Sequence, residues 1–181
     1  MNFPKPYADR VAKLRVPGGF ILVAAFAWFS RPNVVSLCCG VPISLVGLAL
    51  RAWAAGHLAK NQKLTTSGPY RFLRNPLYIG TMLVAAGLVL ASRSPMLGVV
   101  FAVVFFLIYL PVIQLEEQHL RNLFPDFDMY ARRVNALFPN GRPFPNPTRF
   151  QFGLYLKNRE YEASLGFLAG LALLIGKAIW L

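Results

Sequence analysis

Two short blocks hold most of the side chains in this chain that could do chemistry. The first, residues 64–78, reads Leu-Thr-Thr-Ser-Gly-Pro-Tyr-Arg-Phe-Leu-Arg-Asn-Pro-Leu-Tyr; the second is Glu116-Glu117-Gln118-His119-Leu120. Asn75 is a good N-cap and Pro76 suits the first helical position, where a missing N–H is no loss, so a helix is expected to start there. Its free N–H groups and positive dipole end, next to Arg71 and Arg74, would form an anion site. Glu116 and Glu117 follow directly on an apolar run, and a carboxylate at a helix C-terminus is unfavourable unless a cation is near. Two readings stay open for them: ion pairs with Arg74, Arg121 or Arg51, or contact with a ligand. Taken together, N–H donors and arginines on one wall and carboxylates on the other would suit a zwitterionic ligand.

Other candidates are fewer. Arg51 falls inside an apolar run, roughly 8 Å short of its end at about 1.5 Å per residue, within snorkelling reach of the surface. Its expected partner is Glu116 or Glu117, which makes it a site candidate. Glu116 and His119 have the i, i+3 spacing of carboxylate-bridged metal sites, but such a site needs a second copy of the motif, and only His57 could supply it. A metal is therefore not expected, and His57 is read as an interfacial residue near the pocket. Tyr70 and Tyr78 flank the helix start, where a phenol could close over a ligand. Cys38 and Cys39 are adjacent in an apolar run, with no partner for a disulfide. The chain has no dinucleotide-binding glycine motif, P-loop, Gly-x-Ser-x-Gly or His-Glu-x-x-His.

The elements that must position these residues are apolar. A hydrophobic fraction of 56% against 14% charged residues exceeds that of an ordinary soluble fold. The net charge of +12 is dispersed between apolar runs, so nucleic acid is not the expected partner. Five helical runs are expected, at 16–29, 34–57, 76–91, 95–115 and 163–181, the third and fourth forming a hairpin about Ser92-Arg93-Ser94. The first resembles a signal peptide without a cleavage site and is read as a short span. The segment from 116 to 162 is polar and rich in aromatics and proline, beginning as a helix that leaves the membrane and continuing as irregular surface. The result is an all-α integral membrane protein of about five transmembrane helices, one domain over 1–181, with a pocket made by helix ends and loops. Of the 19 Lys and Arg residues, 15 lie in the N-terminal segment and the two long polar segments, which places these and the pocket in the cytoplasm by the positive-inside bias.

The run Leu64 to Gly80, followed by Glu116-Glu-Gln-His-Leu120 with Phe124 and Tyr130, resembles the isoprenylcysteine carboxyl methyltransferase family, including its prokaryotic relatives, and more distantly the phospholipid methyltransferases. The likeness covers residues 51–134 and leaves the C-terminal apolar run at 163–181 as an addition. It implies an S-adenosylmethionine-dependent methyltransferase of a prokaryotic inner membrane acting on a lipophilic acceptor. By position it implies cofactor contacts from Gln62, Lys63, Leu64, Thr65, Tyr70, Asn75, Pro76, Leu77, Tyr78 and Glu116. Arg74 corresponds to the family arginine and would orient an anionic acceptor group; Glu117 could take a proton; Arg51 and His57 fall on the acceptor side. Asn75 stands where the prenylcysteine enzymes have His, Val112 where they have a substrate-binding Arg, and Pro125 where they have Gly. The cofactor half looks retained and a prenylcysteine carboxylate is not the expected acceptor. The rival enzyme class is an NADPH-dependent membrane reductase, since sterol reductases carry a similar Arg-x-Pro-x-Tyr block; the rival non-enzyme is a membrane scaffold.

Overall fold

The computed structural model describes residues 4–139, 143–146 and 148–180. Arg142 and Leu181, the side chains of Lys5, Lys13 and Arg15, and Pro147 of the proline-rich run lie outside the described residues. Helix α1 spans Lys5–Phe29 and α2 spans Val34–Ala55. A 3₁₀ turn, Gly68–Arg71, precedes α3, Pro76–Ser92. Helices α4, Pro95–Val104, and α5, Leu110–Leu123, run on through a π-helical turn at Phe105–Tyr109. Short α6 (Phe127–Arg133) and α7 (Phe152–Lys157) lead to α8, Tyr161–Trp180. Among the described residues there is no strand, only an isolated bridge between Leu73 and Asn135.

All five expected apolar runs are helical. Val34–Ala55, Pro95–Leu123 and Tyr161–Trp180 are long and apolar enough to cross a membrane; Gly19–Phe29 and Pro76–Ser92 are apolar but shorter. Phe20, Trp28, Val46, Val99, Phe106 and Leu165 point outward and exposed, a surface that only an apolar environment suits.

Helices α2 and α3 form the tightest pair because glycines face each other. A Cβ on Gly40 would lie 2.3 Å from the Gly87 carbonyl oxygen, and one on Gly47 would lie 2.6 Å from that of Gly80. Ser44 Oγ donates to Val84 O at 2.9 Å and Ser36 Oγ to Ala91 O at 2.8 Å, tying the pair along its length. Helix α2 opens on a capping box, with Ser36 N–H donating to Asn33 Oδ1 and Asn33 N–H to Ser36 Oγ.

The π turn has an identifiable cause. Pro111 has no N–H to give the carbonyl four residues back, that of Leu107, and the ladder there is rearranged. Tyr7 of α1 donates its hydroxyl to that same Leu107 oxygen at 3.0 Å. The helix then continues to Leu123, so Glu116 and Glu117 lie on its last turns and not just past its end. The expectation that they meet the negative end of a helix dipole is corrected accordingly.

The proline-rich stretch after α6 is also not plain irregular surface. Phe144 N–H donates to Arg71 O at 2.9 Å, Asn146 Nδ2 to Thr66 Oγ1 at 2.8 Å, and Gln151 N–H to Gly56 O at 2.8 Å. Asn158 Nδ2 donates to Ala55 O and Leu58 O, both at 2.9 Å, and so caps the C-terminal end of α2. The stretch is a strap that fastens the loop from 56 to 71 and delivers α8 to the bundle.

Candidate functional site

The helix start at Asn75 and Pro76 is where expected, but Asn75 does not cap it with its side chain. Residues 73–75 pair with 134–136 instead: Arg74 N–H donates to Asn135 O at 2.8 Å and Asn75 N–H to Ala136 O at 3.1 Å. The Asn75 amide is thereby turned toward α5, donating to Glu117 Oε1 at 3.0 Å and to Ala136 O at 3.2 Å. Pro76 is fully buried at the first helical position. The next N–H, that of Leu77, has no backbone acceptor among the described residues, whereas the Tyr78 N–H donates to Asn75 O at 3.1 Å.

Arg74 is fully engaged. Its Nε and Nη2 meet the two Glu117 oxygens at 2.8 and 2.9 Å, and Nη1 donates to Ala131 O at 2.9 Å and Val134 O at 2.7 Å. A bidentate pair with its remaining donors on backbone carbonyls fixes α3, α5 and the end of α6 to one another. Of the two adjacent glutamates, therefore, Glu117 holds the scaffold. Glu116 is exposed and makes no ion pair among the described residues.

Tyr70 is buried on the 3₁₀ turn, and its backbone carbonyl accepts the Tyr130 hydroxyl at 2.7 Å. Burial holds the Tyr70 phenol far above its ordinary value, with Tyr130, Glu116 and Glu160 pushing the same way and Arg51 opposing. The phenol therefore stays protonated, and Glu116, Glu160 and Arg51 lie within its electrostatic reach. Tyr130 is raised as well, first by burial. Tyr78 is buried against Val112, Ile113 and Tyr109, its ring edge-on to that of Tyr109 at 6.1 Å. Leu64 packs on the cluster of Phe127, Tyr130 and Val134; Thr65 is half-buried; Gln62 and Lys63 are exposed at the start of the loop.

Two expectations are corrected here. Arg51 does not pair with Glu116 or Glu117. Its Nε donates to Glu160 Oε1 at 2.5 Å, while Nη1 donates to Thr81 Oγ1 and to Leu77 O at 3.3 Å. Glu160 reaches this position because the strap returns the chain to the end of α2 just before α8 begins. His57, expected as an interfacial residue near the pocket, is instead buried, with Nδ1 in a hydrogen bond to Ser67 Oγ at 3.1 Å and its ring edge-on to Phe150. Gly68, at φ +56°, must be glycine, since a Cβ there would also lie 2.4 Å from the His57 ring. Burial lowers the His57 pKa, so the ring is held neutral.

Sequence reasoning missed Glu160, Thr81 and Asn158. Glu160 carried a usable signal. It is one of only seven acidic residues, and it closely precedes an apolar run.

Residues 43–126 match the sequence profile of the family described as phospholipid methyltransferase. The chain is similar to the cobalt-zinc-cadmium resistance protein CzcN of Cupriavidus metallidurans, 36% identical over 140 residues covering 72% of this chain and 63% of the relative. It is similar to the nickel-cobalt-cadmium resistance protein NccN of Alcaligenes xylosoxydans, 33% identical over 143 residues covering 78% of this chain and 66% of the relative. A probable protein-S-isoprenylcysteine O-methyltransferase of Oryza sativa subsp. indica is 32% identical over 84 residues, 46% of this chain and 44% of that one. The chain thus spans a little under two thirds of the length of either resistance protein. No solved structure matches it significantly.

Proposed function

This chain belongs to the isoprenylcysteine carboxyl methyltransferase-like family, and from that premise we propose that it transfers a methyl group from S-adenosylmethionine to a lipophilic acceptor held in the membrane. The observation that carries the reading is the arrangement of the family block. The start of α3 is locked by Arg74 and Glu117, while Glu116, one residue away, keeps a carboxylate unpaired beside it.

Those donors fit a zwitterionic cofactor. The first turn of α3, at the Leu77 N–H, suits a carboxylate, and Glu116 suits a cationic amine or sulfonium. Tyr70, Asn75 and the loop at Gln62, Lys63, Leu64 and Thr65 would complete the walls. When bound, the cofactor supplies an electrophilic methyl on a positively charged sulfur. The chain contributes positioning: Arg74, Glu117 and Asn75 hold the helix end rigid, and Tyr70, Tyr78 and Tyr109 shield it from water. Alignment and desolvation are the main requirements of such a transfer. With its oxygens taken by Arg74 and Asn75, Glu117 is better suited to positioning than to accepting a proton.

The names of the two resistance proteins suggest a setting for the activity, modification of a membrane component under metal stress. Calorimetric titration of S-adenosylmethionine into the detergent-solubilised chain tests the binding step. One site in the wild type, weakened at least about tenfold in Glu116→Ala and Tyr78→Ala, is expected. Absence of binding by the wild type contradicts it.

A further inference from the structure

We propose that Arg51 and Glu160 form the subsite for the acceptor's polar group, and that Glu160, by compensating the arginine, selects an uncharged or cationic group (a hydroxyl, thiol or amine) over a carboxylate or phosphate. The inference rests on the methyl-transfer reading for the word acceptor, and on the following geometry for the rest.

Arg51 lies on α2 four residues before its end at Ala55, roughly 6 Å below it at about 1.5 Å per residue. From there the side chain crosses to α3. Nη1 is bound to the Leu77 carbonyl and the Thr81 hydroxyl, on the first two turns of α3, whose start is the proposed cofactor end of the site. Nε is bound to Glu160. The third nitrogen, Nη2, is given no acceptor among the described residues, although the side chain is only 21% exposed. A half-buried guanidinium with two N–H groups left over is a donor that a ligand atom could satisfy. The neighbouring Tyr70, held protonated, adds a hydroxyl to the same region.

Glu160 gives this donor its character. It is 8% exposed, so it faces Arg51 with little water between the charges, and the pair is neutral. An anionic acceptor would find a hydrogen-bond donor but no net attraction, and would be repelled by the Glu160 carboxylate. A neutral group loses nothing, and an amine gains. Val112, one turn before the glutamates, is buried among Tyr78 and Ile113 and offers no second cation to rescue an anion.

Glu160→Gln leaves the size of the side chain but uncovers the Arg51 charge; Glu160→Asp keeps the charge; Arg51→Gln leaves Glu160 uncompensated. Binding of dodecanoate, 1-dodecanol and dodecylamine to the full chain in a nonionic detergent at pH 8, followed by thermophoresis, reads head-group preference directly. Ratios between probes are compared across variants, so that partition into micelles cancels. Wild type should favour dodecanol and dodecylamine over dodecanoate. Glu160→Gln should shift the dodecanoate-to-dodecanol ratio upward by about tenfold, Glu160→Asp should stay near wild type, and Arg51→Gln should shift toward dodecylamine by about tenfold. Should Glu160→Gln fail to fold, the Arg51→Gln shift still decides. Unchanged ratios in folded variants, a wild-type preference for dodecanoate, or no binding of any probe would each overturn the proposal. S-adenosylmethionine binding is measured on the same samples. Cofactor binding without a shift in preference removes this subsite alone, and a shift without cofactor binding removes the methyl-transfer reading and leaves the subsite.

Discussion

Glu116 and Glu117 are identical in type and adjacent, and the structure gives them opposite tasks. Glu117 accepts from Arg74 and Asn75 at a half-buried junction of three helices; Glu116 is exposed and unpaired among the described residues. Replacing Glu117 by Gln should destabilise the protein by about 2 kcal/mol, because it leaves a half-buried guanidinium without its counter-charge. Glu116→Gln should stay within about 0.5 kcal/mol of wild type while weakening cofactor binding. Thermal unfolding in detergent alongside calorimetry separates the two, and equal stability loss in both would refute the division. The sequence could not make this distinction, because it depends on which face of α5 each residue takes once Pro111 has shifted the helix by a π turn. His57 supplies a second residue-scale prediction. Its pKa is lowered in the fold, so protons bind the unfolded chain more readily, and stability should fall as pH drops below the ordinary value of 6.5. In His57→Gln that part of the pH dependence should be absent from melting curves recorded between pH 8 and 5.

Among the elements, the α2–α3 pair decides where the site can be, since Arg51 and the start of α3 belong to its two members. The pair approaches closely only because Gly40, Gly47, Gly80 and Gly87 carry no side chains at the crossing. Gly40→Ala should lower the melting temperature strongly, as backbone oxygen and nitrogen lie within 2.6 Å of the added methyl. Gly166→Ala on α8, where nothing lies within 4 Å of the added atom, should leave the melting temperature unchanged. The reverse ranking would show that α8, and not α3, is the close partner. The helices themselves were legible as apolar runs bounded by Asn33, Pro76 and Pro95. The strap was not. Phe144, Asn146, Gln151 and Asn158 act through one or two contacts each with carbonyls and a hydroxyl far away in sequence, which leave no periodic pattern.

For the whole molecule, the chain's own charge pattern orders the fold. The N-terminal segment, the loop from 56 to 75 and the segment from 116 to 160 carry nearly all the basic residues; the described parts of the last two meet through Arg74–Glu117, and Arg51 of α2 joins the last through Glu160. One membrane face is expected to hold both. Single cysteines at exposed Lys63 and Met129, in a background where Cys38 and Cys39 are replaced, should react with an impermeant maleimide only after cells are opened. Labelling of either in intact cells would separate the two halves of the site. The family block was readable in the sequence because its residues are consecutive. Glu160 was not, because α8 lies beyond the block and only the folded chain brings it back to Arg51.

The most direct test of the central claim is transfer itself. Membranes containing the wild-type chain or Glu116→Gln are incubated with S-adenosylmethionine labelled in its methyl group, and the organic-extractable fraction is counted. The account predicts label in a lipophilic product for the wild type and a loss of at least about tenfold for the variant. Label no higher than in membranes lacking the protein, with the wild type folded and acceptor-bearing membranes from its own host supplied, would contradict it.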